Sequence, residues 1–348
     1  MPDETPVDPA SINWESLLFD YVPTRCIAQY NYADGEWDEG QLTSPQLSIH
    51  PMSNALHYGQ ALFEGLKAFH TADGKVHVFN ADENAKRLQA GAARLGMPEV
   101  STDLFNEALD RVIEENIDYV PPYGTGGALY IRPFLFGHGA KLGLGPAPEY
   151  KFCVLVSPVG TYYKTGIKAV DAVVPSKYDR AAPKGVGNIK AAGNYAPDVE
   201  PAAQAVRDGY TIALYLDAKT NSFVEEFSTS NFVAISGDKS TYITPESDSI
   251  LPSITNKMLM QLASDRGLRV ERRPVSFSEI STFSEVAAAG TAVIITPIKS
   301  VTNESKRVEI GENFDIMKSL HDDLRAIQTG DAEDVHGWCR NVCDKPMP

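Results

Sequence analysis

"GVGNIKAAGNYAP", residues 185–197, places one lysine, Lys190, in a run of small residues with no acidic neighbour beside it. Neither a helical nor a strand period of apolar residues runs through the stretch. Gly187, Ala191, Ala192 and Gly193 let other groups approach the backbone closely. A lysine in a tight, partly apolar pocket loses stability in its charged form, and its neutral amine becomes a nucleophile fit for Schiff-base chemistry. Taken alone, the loop equally describes a solvated surface lysine on a glycine-rich turn. Tyr195, five residues on, can present a phenol beside whatever Lys190 binds, and Asn194 and Pro197 mark a stiff turn.

The chain around this loop has 348 residues, beyond the size at which one core usually keeps growing, so two domains are expected. Its 43% hydrophobic and 22% charged residues are those of an ordinary globular enzyme. A formal net charge of −15, with no basic patch, argues against nucleic-acid and anionic membrane partners. No apolar run reaches the roughly 20 residues that cross a bilayer. The acidic, proline-bearing start "MPDETPVDPASINWE" resembles neither a secretory signal nor a transit peptide, so a cytoplasmic protein is expected. Cys26, Cys153, Cys339 and Cys343 are too few and scattered for a disulfide scaffold; the "CRNVC" pair reads as buried or incidental thiols, and no metal site is expected.

Strands joined by short loops are expected in "AQYNYADGEWDEGQLTSPQLSIH", from residue 28. "GLKAFHTADGKVHVFN", residues 65–80, reads as a hairpin turning at Asp73-Gly74, where both residues supply positive φ. A helix capped by Asp82 follows, stopped by Gly96 and Pro98. A second amphipathic helix, from Thr102, carries Leu104, Ala108, Val112 and Ile113 on its apolar stripe. "GGALYIRPFLFG" and "KFCVLVSPVG" are strand-like, and strands alternate with a few helices again after residue 197. That pattern fits α/β or α+β layers in both halves.

Three further places can carry chemistry. Glu225 and Glu226 are adjacent in a run that alternates like a half-buried strand, so one should point inward and need a partner. An Arg or Lys would serve, and so would a protonated pyridine nitrogen. "ILPSITNKML" puts Ser253, Ile254, Thr255 and Asn256 where a helix begins, offering N–H groups to a phosphate or simply capping the helix. "AAAGTAVIITP" has a small-residue turn at Gly290-Thr291-Ala292 able to donate N–H groups to an anion. No GxxxxGK[ST] or GxGxxG signature supports a nucleotide site.

In this order and at these separations, five segments resemble the fold-type IV pyridoxal-phosphate enzymes, most closely the branched-chain amino acid aminotransferases. They are "LHYGQALFEGLKAF", "LYIRPFLFG", "YDRAAPKGVGNIKAAGNYAP", "YLDAKTNSFVEEFSTSNFV" and "GTAVIITPI". The resemblance implies that Lys190 joins pyridoxal 5′-phosphate as a Schiff base and then moves the proton between the substrate Cα and the cofactor. It further implies that Tyr195 meets the cofactor's phenolate oxygen, that Glu226 faces its pyridine nitrogen, and that Arg87 holds its phosphate with Ile254, Thr255 and Thr291. Tyr58, Phe63, Tyr130 and Tyr162 would line the substrate pocket. Thr291 and Ala292 would hold the α-carboxylate, and Arg132, with Tyr58 and Tyr130, the distal carboxylate of glutamate. Lys67 stands where short bacterial forms carry arginine, and no CxxC follows the GTA turn, unlike some animal members.

The resemblance therefore implies an α/β (α+β) protein of the fold-type IV class. A small N-terminal domain would span residues 1–165, a connecting loop 166–178, and a larger C-terminal domain with a pseudo-barrel of strands 179–348. The implied activity is transamination of Leu, Ile and Val with 2-oxoglutarate. The alternatives are a D-amino acid or (R)-amine transaminase, an aminodeoxychorismate lyase, or a homologue that has lost the reaction. Amino acids and 2-oxo acids are the implied small-molecule partners, and a homodimer the implied assembly.

Overall fold

The computed structural model describes residues 5–160 and 167–343. The chain divides into two compact units. One comprises Met1–Tyr162, Lys190–Gly193 and Ala326–Pro348, and the other Tyr163–Ile189 and Asn194–Arg325.

The first unit is built on an antiparallel sheet. Its strands are β1 (Ile27–Ala33), β2 (Glu36–Trp37), β3 (Gln41–Thr43), β4 (Ala61–Phe63), β5 (Leu66–His70), β6 (Val76–Phe79), β7 (Ala128–His138) and β8 (Glu149–Val159). A short helix, α1 (Asn54–Tyr58), precedes β4, and α2 (Ala81–Arg94) and α3 (Thr102–Glu115) follow β6. The long β7–β8 hairpin is its backbone, in register from Ala128↔Val159 to His138↔Glu149. A last strand, Cys339–Cys343, pairs with β6 and so brings the C-terminal segment into this sheet.

The expected hairpin at 65–80 is present as β5 and β6, with Ala68 opposite Val78. Only Gly74 takes positive φ in its turn, at 80°, because the loop is longer than the two residues that would require it of Asp73 as well. α2 is capped by Asn80 in the left-handed region, not by Asp82, which lies inside its first turn. There an acidic side chain favours the helix dipole instead. α3 begins where Ser101 accepts from the Leu104 N–H at 3.1 Å. It buries Phe105, Ala108, Leu109, Val112 and Ile113; Leu104, expected on that stripe, is only half-buried.

The second unit carries strands β9 (Val170–Val174), β10 (Ile212–Leu216), β11 (Phe223–Phe227), β12 (Asn231–Ile235), β13 (Thr241–Pro245), β14 (Arg269–Arg273), β15 (Val275–Ser276), β16 (Glu285–Gly290), β17 (Ile294–Asn303) and β18 (Lys306–Glu309). Its helices are α4 (Val199–Arg207) and α5 (Ile254–Asp265); α6 (Asp315–Gln328) leads from it into the C-terminal segment. Six strands close on themselves in the order β12, β16, β17, β9, β10, β11 and back to β12. This is the expected barrel. Its filling follows from the apolar run of each strand: Leu214, Phe227, Phe232, Ala234, Val286, Ala288 and Ile298 belong to one buried cluster. Closure removes the edges that an open sheet would expose.

Glu285, on β16, is buried and accepts from the Ile316 and Met317 N–H groups at 3.0 and 2.8 Å, capping α6. Among the described residues, no helix is long and apolar enough to cross a membrane, and no His, Cys, Asp and Glu group could hold a metal ion. Burial pushes the Cys153 thiol up to about 12, and that of Cys339 likewise to about 12, so both are poor nucleophiles at neutral pH.

Candidate active site

In the first unit, the small residues around Lys190 let the chain lie alongside β4. Phe63 donates its N–H to the Lys190 carbonyl at 3.2 Å, and Leu62 and Ala191 form an antiparallel bridge. The lysine's backbone is therefore held as an added strand residue, and its half-buried side chain places Nζ 4.6 Å from the centre of the Phe63 ring. Arg132, on β7, lies over the same ring at 4.8 Å and over Tyr130 at 5.2 Å. Its Nη2 donates to the Tyr130 hydroxyl at 2.8 Å. Gly65 is required here: a Cβ on it would fall 2.4 Å from that hydroxyl.

Lys190, Phe63, Tyr130 and Arg132 thus form one cluster of two cations among aromatic rings. Tyr58 is exposed at the end of α1, with its hydroxyl bonded to the Leu142 carbonyl. Tyr162 lies outside the described residues. Lys67 is buried in β5, in register with Tyr130. Phe19 was not foreseen. It meets Tyr130 edge-on, with ring centres 5.0 Å apart, and the only trace of it in the sequence is the short apolar run "LLF" in an acidic N-terminal stretch.

Arg87 lies on α2 and makes a side-on pair with Glu64: Nε to Oε1 at 2.8 Å and Nη2 to Oε2 at 2.7 Å. Sequence reasoning also missed Glu64 and Asn84, which supports it.

In the second unit, Asn194 ties the two sides of the lysine loop by donating to the Val186 and Ile189 carbonyls at 2.8 and 2.9 Å. Gly187 admits the Ser249 carbonyl, which would lie 2.3 Å from any Cβ there. Tyr195 is half-buried and leads into a single 3-10 turn, Ala196–Asp198.

The glutamate pair departs from the expectation that one of the two points inward. Both are buried, at 4% exposure each, because β11 is covered on both faces. Glu226 pairs with Arg180 at 2.8 Å through Oε1, which also accepts from the Leu251 N–H at 3.2 Å. Its Oε2 accepts from Asn231 Nδ2 at 2.7 Å. Glu225 accepts from Ser247 Oγ at 3.0 Å and from the Ser249 hydroxyl. The two carboxylates therefore grip the 247–251 loop, which runs directly into Pro252 and α5.

Ser253 caps α5 by accepting from the Asn256 N–H at 3.2 Å, so Ile254 and Thr255 form its first turn. Such a terminus concentrates N–H donors and the positive end of the helix dipole. Thr291 and Ala292 are half-buried in the tight connection between β16 and β17. Asp198 is held above the usual carboxylate range, mainly by burial, while hydrogen bonds from Tyr215 and Ser228 pull the other way. Burial, reinforced by Asp198, raises the Tyr215 phenol in turn.

Residues 61–301 match the family model described as amino-transferase class IV. The chain is 43% identical over 335 residues to a branched-chain-amino-acid aminotransferase of Helicobacter pylori, covering 95% of this chain and 98% of that one. Among solved structures, the branched-chain amino acid aminotransferase of Escherichia coli superimposes with a TM-score of 0.73 at 29% identity, over 90% of this chain and 99% of that chain. That of Thermobaculum terrenum, solved in its PLP form, does so with a TM-score of 0.75 at 22% identity, over 92% and 99%, a likeness of fold.

Proposed function

This chain belongs to the class IV amino-transferases and, within them, to the branched-chain-amino-acid aminotransferases, and on that premise we propose how its residues carry the reaction. It transfers the amino group of branched-chain L-amino acids to 2-oxoglutarate, giving the 2-oxo acid and L-glutamate. The residues suit pyridoxal phosphate: a lysine amine set among aromatic rings, a buried carboxylate for a ring nitrogen, and an arginine with a helix N-terminus for a phosphate. When bound, that cofactor supplies an aldehyde carbon for the amino group and a ring that withdraws electrons from the substrate Cα.

Lys190 removes and returns the proton at the substrate Cα. A short, backbone-anchored approach suits this work, because a general base acts only from within hydrogen-bond reach. Glu226, oriented by Arg180, Asn231 and the Leu251 N–H, would accept a charge-assisted hydrogen bond from the protonated ring nitrogen. Tyr195 donates to the phenolate oxygen. Arg87, Ile254, Thr255 and Thr291 hold the phosphate. The Thr291 and Ala292 N–H groups orient the α-carboxylate.

Phe63 and Tyr130 offer apolar surface to Leu, Ile and Val, while the Arg132 guanidinium and the Tyr130 hydroxyl can meet the distal carboxylate of glutamate. One pocket thereby takes both kinds of side chain. Tyr58 and Tyr162 complete the proposed lining. The same reading extends to a cytoplasmic homodimer. The dimer is tested by light scattering of the purified protein.

The observation that carries the proposal is the seating of Lys190 on β4, with Nζ over Phe63 and beside neither Asp nor Glu in sequence. The test is turnover with 2-oxoglutarate as acceptor. L-Leucine should be consumed, and D-alanine or an (R)-amine should not; the reverse preference would defeat the proposal.

A further inference from the structure

Glu64 is a carboxylate with no exposed surface, and its partner Arg87 is only 10% exposed. Burying such a pair is costly unless its geometry is close to ideal, and here it is. Nε and Nη2 of Arg87 meet the two oxygens of Glu64 at 2.8 and 2.7 Å. Asn84 Nδ2 donates to Oε2 at 2.6 Å, and the Gly65 N–H donates to the same oxygen at 3.3 Å. Asn84 and Arg87 are three residues apart on α2, so one helix face delivers both donors to the "FEG" bend between β4 and β5.

A carboxylate in this position cancels the charge of the arginine it touches. If Arg87 acted on an anion by charge alone, Glu64 would weaken it. Side-on pairing does something else: it fixes the plane of the guanidinium and decides which edge faces away from Glu64. That edge, Nη1 with the second N–H of Nη2, is the fork with which arginine takes a phosphate through two parallel hydrogen bonds.

We propose that Glu64, steered by Asn84, is a positioning residue that aims the Arg87 fork at the phosphate of the cofactor, trading net charge for direction. The proposal rests on the reading of Arg87 given above and adds a residue that touches neither cofactor nor substrate.

The test compares two ligands on the full-length protein freed of cofactor: pyridoxal phosphate, and pyridoxal, which lacks the phosphate. Glu64→Gln removes a negative charge but offers Arg87 one acceptor and one donor in place of two acceptors. We expect it to weaken pyridoxal phosphate about tenfold or more, the worth of one misdirected charge-assisted bond, and to leave pyridoxal unchanged. Tighter or unchanged pyridoxal phosphate binding would overturn the proposal, as would an equal loss for both ligands, which a merely structural role predicts.

Arg87→Ala separates the two levels. If it does not weaken pyridoxal phosphate, the phosphate role of Arg87 itself falls; if it does while Glu64→Gln does not, only the positioning role falls. Should Glu64→Gln fail to fold, Asn84→Ala decides, because it keeps both charges and removes the bonds from Asn84 to Oε2 of Glu64 and to the Gly65 carbonyl. The same selective loss is expected, and its absence overturns the proposal.

Discussion

The guanidinium of Arg180 lies 2.8 Å from Oε1 of Glu226, and both side chains are more than nine-tenths buried. Removing one member of such a pair strands the other charge in the interior, at a cost of about 3–5 kcal/mol. Arg180→Met should therefore lower the urea-unfolding free energy by that amount, and Glu226→Leu added to it should recover most of the loss. A single substitution costing under about 1 kcal/mol, as exposed pairs do, would mean that the pair carries no such burden.

Gly65 is the second place where geometry makes a quantitative demand. In Gly65→Ala the new methyl must displace the Tyr130 hydroxyl, the far end of a side chain, and with it the bond to Arg132. The expected stability loss is about 1–3 kcal/mol. KM for L-glutamate should rise more than KM for L-leucine, because only glutamate needs the polar end of the pocket. Equal changes for both substrates would count against Arg132 and Tyr130 as the distal-carboxylate site.

Ser253→Ala tests the α5 terminus. Losing the cap at the Asn256 N–H should cost about 1 kcal/mol. Affinity for pyridoxal phosphate should fall with it, as the first turn frays; thermal unfolding with and without added cofactor measures both. A variant with the expected loss of stability but undiminished cofactor affinity would remove Ile254 and Thr255 from the phosphate site.

Stability below neutral pH is set in part by buried histidines. Burial holds the His70 ring below its ordinary 6.5, while its Nδ1–H donates to the Pro121 carbonyl at 2.9 Å. His77, His138 and His321 are lowered for the same reason. The folded state keeps these rings neutral, so the unfolded chain takes up protons first as pH falls. Their contribution is complete above 6.5 and is lost as pH drops through the lower folded values, by up to about 1.4 kcal/mol per pH unit for each proton. The raised carboxyls of Asp198 and Glu285 act in the opposite sense, gaining stability as pH falls. The His70 share is therefore read as a difference: His70→Gln should show a shallower fall of Tm between pH 7 and 5.5 than the wild type. An equally steep or steeper fall would contradict it.

Local rules made some of this architecture legible and left the rest hidden. The 65–80 hairpin, the strands of the β7–β8 pair and the Ser253 helix start each depend on neighbours in sequence, and each is where the residues put it. The α2 cap moved to Asn80 because asparagine tolerates the left-handed region and leaves Asp82 to the first turn. Glu225 and Glu226 defeated the alternation rule because β11 is packed on both faces, which no single strand announces. Glu64 was invisible for a related reason: its partners lie 20 and 23 residues away, on a helix whose face is chosen by tertiary packing. The six-strand closure likewise depends on pairings such as β12 with β16, whose partners lie 50 to 58 residues apart, from Ile235↔Glu285 to Asn231↔Ala289.

The central claim, that Lys190 serves a pyridoxal-phosphate-dependent transamination of branched-chain L-amino acids, is tested most directly by visible absorption of the purified protein. The account predicts a cofactor band that shifts on adding L-leucine and returns on adding 2-oxoglutarate, with Lys190→Ala showing neither the exchange nor turnover. A wild-type band that L-leucine leaves unchanged, or a Lys190→Ala protein that keeps full turnover, would contradict it.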